Sequence, residues 1–171
     1  QLTVSNLSYI DLVNLVGTFL VNQIYSRYVD NGIIINFAST DGIDTGSEYN
    51  IDYSASKAGI INMTRGISLA TNNRVISVSP NWVDTYSTRS MDKEYLNREL
   101  ERVGQSRLLT VEEVVDGIEE ITSKGDKWGN YRIDIRNDKL WIEKMQIKNI
   151  CVPLMIFLQN HTYLTGWHIL P

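Results

Sequence analysis

One cysteine and two histidines are all that 171 residues hold of those types. Cys151 alone cannot close an internal disulfide, which suits a reducing compartment, and a cytoplasmic protein is expected. His161 and His168 with that single thiol are poor material for a metal centre, and none is expected. Long apolar runs are also missing: the most apolar stretch, 150–158, is far short of the ~20 residues a membrane helix needs. Residues 1–14 lack the basic start and apolar run of a secretory leader, so the Asn-x-Ser/Thr triplets at Asn6, Asn62 and Asn160 read as chance. Positive charge is not in excess either. Sixteen Lys and Arg against 20 Asp and Glu leave a formal charge of −4, without the basic stripe of a nucleic-acid binder. What remains, 43% hydrophobic and 21% charged residues, is an ordinary folded composition that excludes disorder, collagen and coiled coil. One core of this size forms without disulfides or metals.

The pattern along the chain alternates helix and strand. Ser8-x-x-Asp11 has the form of a capping box, and apolar residues from Ile10 to Tyr25 recur at helical spacing. Asp30-Asn31-Gly32 breaks that helix, and Ile33-Ile34-Ile35-Asn36-Phe37 follows as a strand of the kind buried in a parallel sheet. A polar loop, 38–50, leads to a second helix over 52–70 and a second strand over 74–78, stopped by Pro80. This order predicts an α/β fold with a parallel sheet and flanking helices. Ligands in such sheets bind beyond the carboxyl ends of the strands, here 38–46 and 80–90. Residues 86–104 form a polar excursion with a short helix near 93–102, and Thr110-x-x-Glu113 is a capping box for a helix to about 123. Beyond 124 the pattern loosens. Strands are expected at 131–135, 140–142 and 167–170, with a strand or helix at 152–158, in a segment that otherwise reads as irregular.

The chemistry concentrates in Tyr53-Ser54-Ala55-Ser56-Lys57. Residues four apart share one helical face, so the Lys57 ammonium stands near the Tyr53 phenol. A free tyrosine titrates near 10, and an adjacent cation favours phenolate, moving the group toward a useful catalytic range. Alone, that spacing is a common surface pair. Its setting is not common: Ser39 follows the first buried strand, Asn14 lies in the first helix near Gly17, and Pro80-Asn81-Trp82-Val83-Asp84-Thr85 follows the second strand.

Those motifs, in this order and at these spacings, resemble the short-chain dehydrogenase/reductase family, closely over 12–85 and more weakly to 123. The resemblance implies a Rossmann-like domain whose catalytic part is 1–123, with 124–171 completing the same domain. It implies an oxidoreductase that moves a hydride between NAD or NADP and a hydroxyl/carbonyl pair of a small or medium substrate. Tyr53 would be the general acid/base, Lys57 would hold the nicotinamide ribose and lower the Tyr53 pKa, and Ser39 would fix the substrate oxygen. Asn14 would hold a water in the proton relay. Pro80, Val83 and Thr85 would lie along the cofactor with Tyr53 and Lys57, and a homodimer or homotetramer is implied. Trp82, Tyr86 and Met91 suggest an apolar lid over the substrate.

Departures are equally specific. Asn81 stands where the family usually has Gly, Ile76 where Asn is common, and the 71–73 link is short. Two segments, 118–135 and 163–166, both align with the family's closing strand. The Gly-rich turn that places backbone amides and a helix start against a pyrophosphate is not in this sequence, which therefore reads as lacking the nucleotide-binding half. A catalytically inactive remnant serving as an interaction or scaffold domain is the alternative.

Overall fold

The computed structural model of the protein describes residues 9–46 and 48–146. The β-branched runs form strands as their composition demands. β1 (Ile33–Phe37) and β2 (Arg74–Pro80) pair in parallel, with Ile35 beside Ile76 and Phe37 beside Val78. β3 (Trp128–Arg136) adds in parallel to β2, and β4 (Lys139–Met145) pairs antiparallel with β3, giving the order β1-β2-β3-β4. The sheet is therefore mixed rather than purely parallel. Asn137 and Asp138, the two residues between β3 and β4, have φ of 50° and 60°. A two-residue link with both residues left-handed is a hairpin turn, and a hairpin can only return antiparallel.

Helices flank this sheet. A π-helical turn, Asp11–Val16, runs into α1 (Gly17–Tyr28); α2 is Ile51–Ala70, α3 Tyr86–Arg89, α4 Lys93–Val103 and α5 Val111–Ser123. α1 stops where expected, before Asn31 with its φ of 58°. The Thr110–Glu113 capping box forms in full and starts α5. The Ser8 box, the elements expected at 152–158 and 167–170, and the closing motif at 163–166 lie outside the described residues. The competing closing segment supplies β3, and the strands expected at 131–135 and 140–142 form with wider bounds as β3 and β4. Among the described residues no helix is long and apolar enough to cross a membrane.

The two faces of the sheet differ in character. One buries Ile76, Val78, Tyr131, Ile133 and Ile135 against Val114 and Ile121 of α5. The register places Asn36, Ser77 and Asn130 side by side on the other. There Asn36 and Asn22 of α1 exchange two amide bonds (2.8 and 3.1 Å), and Asn36 also donates to Thr64 of α2 at 3.0 Å. Such a layer is stable only because its members satisfy one another. It continues toward the carboxyl ends of the strands as Arg132 and Asp134, where the candidate site lies.

Candidate active site

β1 delivers the first site residue. After Phe37 the chain turns out of the sheet, and the Ser39 hydroxyl accepts the Asp41 amide at 3.2 Å, starting a 3₁₀ turn over Thr40–Gly42. Gly42 then presses directly on α2: a Cβ there would lie 2.6 Å from both the Ala58 nitrogen and the Lys57 carbonyl carbon. Only glycine permits that approach, which holds the Ser39 loop against the helix carrying Tyr53 and Lys57.

Tyr53 and Lys57 share a face of α2 as their spacing requires, with the ammonium 5.5 Å from the centre of the phenol ring. Both side chains are half-buried. The Lys57 ammonium donates to the Phe37 carbonyl at 2.9 Å, and burial lowers its pKa. The Tyr53 phenol lies above its ordinary value, raised by burial and by the nearby Asp41 carboxyl, with the Ser39 hydroxyl acting the other way. The depression of the Tyr53 pKa by Lys57 is thus not what the structure gives. Desolvation of the phenol dominates, and the ammonium is directed at a main-chain carbonyl.

Asn14 sits in the π-helical turn and donates to the Ser56 hydroxyl at 3.1 Å. It opens on a separate hollow of about 410 Å³ on whose wall Lys57 also stands. The remaining predicted residues follow β2. Pro80 is its last residue, and Gln105 clamps Trp82 from both sides, accepting its amide at 3.0 Å and donating to its carbonyl at 2.8 Å. Val83 bridges to Leu109, while Thr85 caps α3 in a reciprocal box with Thr88.

Ser39, Tyr53, Lys57, Pro80, Val83 and Thr85 all line one cleft of about 680 Å³ at the carboxyl ends of β1 and β2. Asn14 is not on its wall. Of the expected apolar lid, Trp82 and Met91 line the cleft, but Tyr86 is 88% exposed and does not. Thr40, Asp41 and Asn81 also line the cleft, within the loops expected to meet a ligand but without a role assigned from the sequence. Asn81 was visible only as a departure from Gly. The arrangement offers a hydroxyl, a phenol that is protonated at neutral pH, and an ammonium with two of its three hydrogens not engaged by Phe37.

Known proteins resemble this chain in sequence and in fold. A family profile described as Enoyl-(Acyl carrier protein) reductase matches residues 2–124. The 3-oxoacyl-(acyl-carrier-protein) reductase FabG of Thermotoga maritima is 37% identical over 112 residues, covering 62% of this chain and 45% of that protein. The reductase MabA of Mycobacterium avium is 32% identical over 118 residues, covering 65% of this chain and 46% of its own length. This chain therefore spans less than half the length of those curated relatives. Among solved structures, a short-chain dehydrogenase/reductase from Serratia marcescens superposes with a TM-score of 0.69 at 22% identity, over 78% of this chain and 57% of the other. A short chain dehydrogenase from Leptospira borgpetersenii, solved with bound NAD+, gives 0.62 at 21% identity over the same shares. The chain belongs to the short-chain dehydrogenase/reductase family.

Proposed function

We propose that this chain carries the catalytic residues of a nicotinamide-dependent oxidoreductase acting on a hydroxyl/carbonyl pair of a small or medium substrate. The observation behind it is the convergence of Ser39, Tyr53 and Lys57 on one cleft from two elements pinned together at Gly42. In the reductive direction Tyr53 gives its phenolic proton to the substrate oxygen, and its raised pKa keeps that proton present at neutral pH. Ser39 hydrogen-bonds the same oxygen and stabilises its charge as the carbonyl is reduced. Two catalytic hydrogen bonds to one atom also fix the carbon for attack.

A nicotinamide cofactor, NAD or NADP, when bound supplies the hydride. The residues present suit it. Lys57 retains donors for ribose hydroxyls, and the 80–85 wall is held rigid by the Gln105 clamp and the α3 cap. Pro80, Val83 and Thr85 would lie along the nicotinamide side, with Tyr53 and Lys57 toward the ribose. Asn14 reaches Lys57 only through the neighbouring hollow, which is large enough for the relay water assigned to it.

Tyr53→Phe tests the reading. Loss of turnover by about 10²-fold or more, with cofactor affinity retained, is the expected outcome for removal of a general acid. Undiminished turnover would remove Tyr53 from the mechanism. Fluorescence titration with NADH decides separately against an inactive remnant, which would fold and leave the signal unchanged.

A further inference from the structure

Asn81 occupies the position where the family usually has Gly, and its side chain is buried between two polar groups from different elements. Its Nδ2 donates to Asp134 Oδ1 at 3.1 Å, and its Oδ1 accepts the Thr40 hydroxyl at 3.2 Å. Asp134 decides which way this amide faces. That carboxyl already accepts the Ile135 amide at 2.8 Å, and Arg132 Nε lies 3.7 Å from its second oxygen. The oxygen facing Asn81 is the one that accepts the Ile135 amide, with the guanidinium beside the other, so the amide turns its NH₂ toward Asp134.

The consequence runs outward through two hydroxyls. Thr40 must give its one hydrogen to Asn81 Oδ1, so it can only accept from Thr45, whose oxygen is 2.9 Å away. Thr45 then has no hydrogen left for Asp41 Oδ1, also at 2.9 Å. Three contacts share two hydroxyl hydrogens. All three are satisfied only if Asp41 brings the third and donates to Thr45.

We propose that Asn81 is a positioning residue that sets the direction of the chain Asp134–Asn81–Thr40–Thr45–Asp41 and thereby holds Asp41 as an uncharged carboxylic acid on the cleft wall. Asp41 is faced by Tyr53 from α2 and by Tyr95, Glu99 and Arg102 from α4, with Asn50 beside it. Glu99 and Arg102 pair with each other at 2.7 Å, so neither sets the charge of Asp41 by itself. Burial pushes the Asp41 pKa up and Glu99 adds to it, Arg102 and a hydrogen bond from Asn50 oppose this, and a hydrogen donated by Thr45 would oppose it too. The negative charge by which an ionised Asp41 would add to the effect of burial on the Tyr53 phenol is then removed, and burial alone holds that phenol up. On the proposed reading, the loss of that charge makes proton release to the substrate oxygen easier.

The experiment is a carboxyl ¹³C titration of the chain, with Asp41 assigned by the signal missing in Asp41→Asn. In the unsubstituted chain Asp41 should titrate above the ordinary aspartate range. In Asn81→Gly the midpoint should move down, because Thr40 is freed to accept or donate and Thr45 can turn its hydrogen to the carboxylate. Thr40→Val cuts the chain isosterically, should move it the same way, and decides the matter if Asn81→Gly does not fold. An ordinary midpoint in the parent, or one unchanged in the folded variants, overturns the proposal. Neither substrate nor cofactor is involved, so a shifted midpoint with no turnover would count against the oxidoreductase reading alone.

Discussion

Replacing Gly42 by Ala puts a methyl group where the backbone of α2 already stands. The new Cβ would meet the Ala58 nitrogen and the Lys57 carbonyl carbon at 2.6 Å, and the Lys57 Cβ at 3.0 Å. Each of the two closest atoms is main chain, about 0.8 Å inside the near edge of ordinary contact at 3.4 Å. Main-chain atoms in the middle of a 20-residue helix cannot swing aside, so the loop must lift instead. Gly42 donates to the Ser39 carbonyl at 3.0 Å, which couples that lift to the serine. Overpacking of this kind costs ~1–3 kcal/mol, and a misplacement near 1 Å at a reacting group costs as much as about 10²-fold in rate. Urea unfolding followed by tryptophan fluorescence measures the first quantity, and kcat/KM for the proposed nicotinamide-dependent turnover the second. Gly66→Ala is the control, since that glycine lies in the same helix with nothing within 4 Å of its added Cβ. It should stabilise by ~0.5–1 kcal/mol through helix propensity. If Gly42→Ala is as stable and as active as the parent, the close approach does not hold Ser39 in place.

The buried amide layer and the α5 cap yield the remaining predictions. Asn36→Leu removes both exchanges with Asn22 and the bond to Thr64, leaving Asn22, 2% exposed, with an unpaired amide oxygen. A loss of ~2–4 kcal/mol in urea unfolding is expected, and Asn22→Leu in the same background should add less than it costs alone; strict additivity would contradict the network. Glu113 is held down to about 2, chiefly by its 2.7 Å bond to Arg107 and helped by the Thr110 amide. A carboxyl depressed on folding stabilises above its unfolded value near 4.5 and loses that contribution as the pH falls toward 2. Glu113→Gln should therefore lower stability at pH 7, by less than ~1 kcal/mol for so exposed a pair, and match the parent near pH 2. A gap that persists at low pH would assign the effect to the cap geometry and not to charge.

Much of the fold was legible because its signals are local. A β-branched run, a capping box and an Asn-Gly break each act within a few residues, and β1, β2, α2 and α5 lie where those signals put them. The hairpin was less visible. Asn137-Asp138 is a turn signal, but direction in a sheet depends on which strand the segment meets, and β3 had first to find β2.

The same division holds at the site. Tyr53, Lys57 and Ser39 could be named because several motifs in order resemble those of a known family, while the Tyr53–Lys57 spacing alone is a common surface pair. Their protonation could not. Lys57 and Tyr53 are neighbours as predicted, yet burial outweighs the ammonium and the phenol moves up rather than down. Desolvation depends on everything packed around a group, which no pair spacing encodes. Asp41, Asn81 and Asp134 are separated by 40 and 53 positions and carry no shared motif. Local spacing and residue type name the groups able to do chemistry and the elements that carry them. Burial and hydrogen-bond partners are set by residues far away along the chain, so the surroundings of each group emerge only on folding.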